Sequence, residues 1–218
     1  MLAVIFCLVG VAALLAAAEY LGKHKILKGE NQRKFVHIGV GTFVAFWPWL
    51  ISWETIQFIG LAMLLVVLLS RHQHPRFWRF NKISKRESYG DIFFALAIIA
   101  SALLTDVKIF FALAILNLAL ADGVAAVIGL NFGKHWRYKI YHHTKTVIGT
   151  MVFWLVLIYI MGTGLLFAHD LIGFDGYVLL VVVLPSVLTL LENISVMGLD
   201  DLLIPVVVIV ALRSAQLG

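Results

Sequence analysis

Apolar runs long enough to be membrane spans, separated by short polar connections, occupy most of this chain. There are about eight: Met1–Leu21, Val36–Trp53, Thr55–Ser70, Ile92–Thr105, Ile109–Leu130, Val147–Ala168, Leu171–Leu191 and Leu202–Leu217. A helix needs about 20 residues to cross a bilayer. In hydrocarbon, only a helix or a closed barrel satisfies its own backbone hydrogen bonds. The runs therefore predict an all-α, polytopic integral membrane protein with about eight transmembrane helices. The runs at 55–70, 92–105 and 202–217 are short. Each reads as a thin-membrane span, a span extended by its flanks, or a re-entrant piece, so seven or nine spans stay open.

Composition closes off the alternatives. Of 218 residues, 62% are hydrophobic and 13% charged, against about 45–50% and about 25% for a soluble domain. A soluble enzyme, a disordered chain and a nucleic-acid binder are excluded on that ground. The first run, with Ala16-Ala17-Ala18, is similar to a signal peptide, but no Lys or Arg precedes it, and a retained span is expected. The single cysteine, Cys7, reads as a small apolar residue.

Charge distribution gives an orientation. Of 17 Lys and Arg, five lie in Lys23–Lys34, six in Arg71–Arg86 and four in Lys134–Lys145. With eight spans these three segments fall on one side. The connections near Ser52, Thr105 and Ala168 fall on the other, with almost no basic residues. The positive-inside rule then puts the basic loops in the cytoplasm and both termini outside. The Arg71–Arg86 loop also carries Phe77, Trp78 and Phe80. It is either a segment lying on the anionic membrane surface or a plain topogenic loop. No repeat or linker divides the chain, so residues 1–218 form one transmembrane domain.

Ionisable groups inside the spans are costly and mark function by default. Asp122 stands well inside the fifth run. At helical spacing it shares a small-residue face with Ala126, Gly129 and Gly133, which leads to Lys134. The bland alternative is close helix packing through Gly129-x-x-x-Gly133. Glu192, Asp200 and Asp201 lie at the turn between the seventh and eighth runs. They either cap a helix N-terminus or ligate Mg²⁺. Arg33, Lys34 and His37 open the second run and Lys145 the sixth; Arg33 and His37 are spaced to face one site. His72-x-His74 and His142-His143 lack a third ligand, and zinc is not expected. No Walker A loop or dinucleotide fingerprint is present. Acids, cations and glycines at one membrane face are what phosphoryl transfer asks for.

These residues resemble a known family, the membrane lipid kinases that include dolichol kinase, phytol kinase and CTP-dependent diacylglycerol kinase. Five islands in order carry the resemblance, over about residues 31–205: Arg33-Lys-Phe-Val-His37-Ile-Gly39; Arg86-Glu-Ser-Tyr-Gly90; Ala121-Asp-Gly-Val-Ala-Ala-Val-Ile-Gly129 with Phe132-Gly-Lys134; Lys145-Thr-Val-Ile-Gly-Thr150; and Glu192 with Gly198-Leu-Asp-Asp-Leu-Leu-Ile-Pro205. The chain is similar in length to the short phytol-kinase-like members. The resemblance implies a kinase that transfers the γ-phosphate of CTP, or another NTP, to a lipid alcohol such as phytol, polyprenol, dolichol or diacylglycerol. Its partners would be that lipid, the nucleotide and membrane lipids, and no nucleic acid. Asp122 would bind Mg²⁺ or act as base. Arg33, Lys34, Lys134 and Lys145 would hold the triphosphate, and Gly129, Gly133 and Gly149 would admit it close to the backbone. Glu192, Asp200 and Asp201 would complete the metal site, and His37 would orient a phosphate or the hydroxyl. Ile148 stands where the family often has Glu, and Asp201 where it has Asn. Without a Ser/Arg-rich transit peptide, the plasma (inner) membrane of a prokaryote is expected. Two other readings stand beside this one: a CDP-lipid-forming cytidylyltransferase, and a transporter with Asn117 and Asp122 as an ion site. A non-catalytic scaffold is the residual.

Overall fold

The structure, a computed structural model, describes residues 1–72, 89–133, 135–140, 143–195 and 197–216. Among the described residues, four stretches are long and apolar enough to cross a membrane: Leu2–Lys23, Lys108–Phe132, Val147–Ala168 and Phe174–Ile194. Shorter apolar helices cover Trp53–Leu69 and Gly90–Leu104. Many large apolar side chains face outward, among them Phe6, Phe58, Leu65, Phe167 and Phe174. Such a surface is stable only against lipid. The protein is a helical membrane protein.

Helix α1 spans Leu2–Lys23 and packs on α2, Glu30–Ala45. A 3₁₀ turn at Trp47–Trp49, set by Pro48, precedes α3, Trp53–His72. Helix α4 is Gly90–Leu104. The fifth rod is α5, Lys108–Leu116, a π-helical segment at Asn117–Asp122, and α6, Gly123–Phe132. Helix α7 runs Val147–Gly164. The seventh rod breaks into α8, Phe174–Val182, and α9, Leu184–Ile194, where Pro185 removes a backbone donor. Helix α10 is Asp200–Ser214.

The chain is not wholly helical. Between α6 and α7 a small antiparallel hairpin forms from β1, Arg137–Ile140, and β2, His143–Thr146, with Tyr138 paired opposite Lys145. The charged stretch from Glu30 to His37 is the first two turns of α2 rather than a connection outside the helix.

Two apolar cores meet on α5. One joins Phe110 and Leu113 to Phe153, Leu157 and Met161 of α7 and to Ile204, Val208 and Leu212 of α10. The other joins Phe111 and Ile115 to Val40 and Val44 of α2, Ile56 of α3 and Ile98 of α4. Helix α5 is thus the central rod. Its continuation, the π-helical segment and α6, is held between α2 and α7.

Candidate active site

The start of α2, the end of α6 and the start of α7 adjoin basic segments of the sequence, and the end of α9 and the start of α10 flank the turn at Met197–Gly198. The starts of α2 and α10 converge on Asp122. Its carboxylate sits at the last position of the π-helical segment, ten residues, or roughly 15 Å of helix, from Phe132. A π turn inserts an extra residue into the i→i−4 ladder and re-aims the side chains at its end; such bulges are frequent at functional sites.

Lys34 reaches across from α2 and forms an ion pair with Asp122 Oδ2. His37, one turn further along α2, places Nε2 3.5 Å from the same oxygen and 3.4 Å from the Leu118 carbonyl. Asp201, in the first turn of α10, places Oδ1 3.9 Å from His37 Nε2. Ligand atoms of His37, Asp122 and Asp201 lie within 4.8 Å of one another. Two carboxylates and a ring nitrogen converging in this way can hold a divalent cation.

Two glycines allow the approach of α2. A Cβ on Gly41 would lie 2.4 Å from Ala119 Cβ, and one on Gly123 would lie 2.2 Å from Ile38 Cγ1. Each marks close contact between α2 and the π-helical rod, which brings Lys34 and His37 within reach of Asp122. At the far side, Met197 and Gly198 both have positive φ, 61° and 89°. That turn starts α10 with Asp200 and Asp201 at its head. Leu199 is the N-cap, without a side-chain cap bond, and Asp200 and Asp201 occupy the first turn, where negative charge also favours a helix N-terminus.

A second ion pair extends the cluster. Lys145 Nζ lies 2.8 Å from Glu192 Oε1 and also donates to the Glu192 carbonyl. Asp200 interacts electrostatically with Asp122 and Glu192 and with Lys34 and Lys145, so both pairs belong to one polar site. Arg33 turns to Glu30, with Nη2 2.5 Å from Oε1. It is therefore Lys34 with His37, and not Arg33 with His37, that faces Asp122. Among the described residues, five carboxylates (Glu30, Asp122, Glu192, Asp200 and Asp201) stand with three cations (Arg33, Lys34 and Lys145) around His37.

The glycines of the phosphate reading also sit at a close helix crossing. A Cβ on Gly129 would meet Thr146 Oγ1 at 2.7 Å, and one on Gly149 would meet it at 2.8 Å. A Cβ on Gly133 would meet Thr146 Cβ at 2.6 Å. These positions close the crossing of α6 and α7, small residues allowing backbones to approach. Thr146 also caps α7 by accepting from the Gly149 N–H. Lys134, the loop aromatics Phe77, Trp78 and Phe80, and His74 and His142 lie outside the described residues.

A phytol kinase from Synechocystis sp. is 30% identical to this chain over 199 residues, covering 88% of this chain and 82% of that protein. The chain belongs to the phytol kinase family. No family model and no solved structure matches it. In this phytol kinase family member, the sequence islands separated by up to 170 positions meet at one end of the bundle. Arg33–Gly39 lies on α2, Ala121–Gly129 on the π-helical rod, Lys145–Thr150 at the start of α7, and Glu192 with Gly198–Pro205 at the α9–α10 turn. Of the remaining island, Arg86–Ser88 lie outside the described residues, and the Tyr89 N–H donates to the Met197 carbonyl at 3.1 Å. Glu30, Tyr138 and Asn193 are site neighbours that the sequence reading did not single out. Only Glu30 left a trace there, three residues before Arg33 in a helix.

Proposed function

We propose that this protein is a lipid-alcohol kinase that transfers the γ-phosphate of CTP, or of another NTP, to the hydroxyl of an isoprenoid or related lipid alcohol. The O–H of the lipid is lost as a proton, a new O–P bond forms, the bond between the γ-phosphorus and its bridging oxygen breaks, and the nucleoside diphosphate leaves. The observation that carries the reading is the convergence of Asp122, Lys34, His37 and Asp201 at one end of the bundle. Membership of the phytol kinase family supports the chemistry.

In this reading Asp122 accepts the hydroxyl proton or contributes an oxygen to Mg²⁺. Asp122 and Asp201 would hold the ion, with Glu192 and Asp200 close by. A bound Mg²⁺ neutralises phosphate charge during transfer. Lys34, now on Asp122, and Lys145, now on Glu192, exchange a carboxylate for a phosphate oxygen when nucleotide arrives. Arg33 and Lys134 would add positive charge toward the triphosphate, and His37 orients a phosphate or the hydroxyl. The bilayer delivers the lipid alcohol with its tail in hydrocarbon. We place eight spans in the plasma membrane of a prokaryote, with the basic loops and the site on the cytoplasmic side and both termini outside.

The test is purified protein in detergent with Mg²⁺, CTP or ATP labelled at the α- or γ-phosphate, and a panel of phytol, polyprenol, dolichol and diacylglycerol. Label moving to lipid from the γ-position is the expected result. Label moving only from the α-position identifies a cytidylyltransferase and overturns the kinase reading. Absence of transfer from either position, with folded protein, overturns both.

A further inference from the structure

The hairpin between α6 and α7 presents its two faces differently. Arg137 and Lys139 point outward and are exposed, whereas Tyr138 and Ile140 turn toward the bundle. Tyr138 is the register partner of Lys145, so these two side chains leave the hairpin on the same face. They grip successive residues at the end of α9. Lys145 takes Glu192, and the Tyr138 hydroxyl donates to Asn193 Oδ1 at 2.5 Å. The same hydroxyl is hydrogen-bonded to the Thr150 side chain on the first turn of α7. Asn193 is itself fixed, its Nδ2 donating to the Thr189 carbonyl at 2.8 Å. A chain of bonds thus runs from α7 through Tyr138 into α9.

A two-stranded hairpin of four residues a side is marginal in isolation. This one needs an anchor if it is to hold a lysine at a fixed place. We infer that Tyr138 is a positioning residue, latching the hairpin to Asn193 and Thr150 so that Lys145 is held at the Glu192 edge of the site, where it receives nucleotide phosphate. The inference rests on the nucleotide role proposed for Lys145. Tyr138 touches neither nucleotide nor lipid in this scheme. It sets where Lys145 stands.

The test has two arms. Tyr138→Phe keeps the ring and removes only the hydroxyl. In a Cys7→Ser background, a nitroxide on Lys139→Cys reports hairpin motion by electron paramagnetic resonance without any need for turnover. Tyr138→Phe is expected to raise label mobility, and Asn193→Leu, which removes the acceptor, to do the same. In the kinetic arm, Tyr138→Phe raises the nucleotide KM by about five-fold, the size of one lost hydrogen bond, with KM for the lipid alcohol unchanged. In a Lys145→Ala background the same substitution adds nothing to the nucleotide KM. Unchanged label mobility in Tyr138→Phe overturns the latch. Raised mobility with an unchanged nucleotide KM, or an effect that persists without Lys145, overturns the positioning role. A wild-type protein that transfers no phosphate overturns the kinase reading instead, and the mobility arm still decides the latch.

Discussion

Lys34 and Asp122, 88 positions apart in the chain, form an ion pair whose side chains are only 7% and 14% exposed. Two charges withdrawn this far from water are retained in a membrane protein when they do chemistry. Asp122→Asn keeps the shape and a hydrogen-bond acceptor for Lys34 while removing the charge. Turnover is expected to fall by about 10²–10⁴, the range for loss of a general acid or base, in protein that still elutes as a folded species. Near-normal γ-phosphate transfer by this variant would remove Asp122 from the mechanism.

The same pair makes a stability prediction. Removing one partner of a buried pair costs about 3–5 kcal/mol, because the other charge is left uncompensated. Lys34→Met should therefore lower Tm clearly. Lys34→Met combined with Asp122→Asn should recover most of that loss, since no orphan charge remains, yet stay inactive. Additive losses in the double variant would mean that the two side chains do not interact as the structure has them.

Gly123 tests how the site is brought together. A Cβ there would sit 2.2 Å from Ile38 Cγ1. Overpacking of this kind costs about 1–3 kcal/mol, and here it pushes α2, with Lys34 and His37, away from Asp122. Gly123→Ala should lose both Tm and kcat. Ile38→Ala added to it removes the opposing atom and should restore much of both. If the second substitution rescues nothing, close approach of α2 is not what Gly123 serves.

Much of this was readable from residues alone, and what was not has identifiable causes. Helices occupy all the apolar runs because continuous hydrophobicity leaves the backbone no other partner in lipid. Asp122 stood out because an acid within Ile109–Leu130 is costly in a span and the bland alternative, close packing of small residues, does not need it. The π-helical segment left no trace, since its apolar residues fit an α-helix equally well. The hairpin was missed because its strands are only four residues each: the alternation of Arg137-Tyr138-Lys139-Ile140 is too short to stand out, and His143–Thr146 is polar throughout. Partner choice was invisible too. Arg33 takes Glu30 while Lys34 takes Asp122, and that is decided by α2 facing the rod through Gly41 and Gly123. The Gly129, Gly133 and Gly149 positions showed their small size in the sequence but not what fills the space above them, which is Thr146.

The proposed metal dependence rests on the closeness of Asp122 and Asp201 to His37. Chelation should abolish transfer and added Mg²⁺ should restore it. Asp201→Ala should raise the Mg²⁺ concentration for half-maximal rate by about ten-fold or more, the scale of losing a supporting group at a metal site. Asp201→Asn retains an oxygen ligand and should keep most of the activity. An Asp201→Ala enzyme with an unaltered Mg²⁺ requirement would confine this residue to packing.

Orientation and span count can be tested together with two single-cysteine variants in a Cys7→Ser background. Ser52 is exposed just before α3, and Lys139 is exposed on the hairpin. Three rods separate them: α3, α4 and the α5–α6 rod. The middle one is the weak member, with 15 residues, about 22 Å of helix against about 30 Å of hydrocarbon. If α4 crosses, the two positions lie on opposite sides. A membrane-impermeant maleimide should then label Ser52→Cys in intact cells and reach Lys139→Cys only after permeabilisation. If α4 stays re-entrant, the number of crossings becomes even, and both positions label under the same condition. That outcome would remove one span and, because the basic hairpin would share a side with the Lys-poor connection at Ser52, would also break the charge argument for orientation.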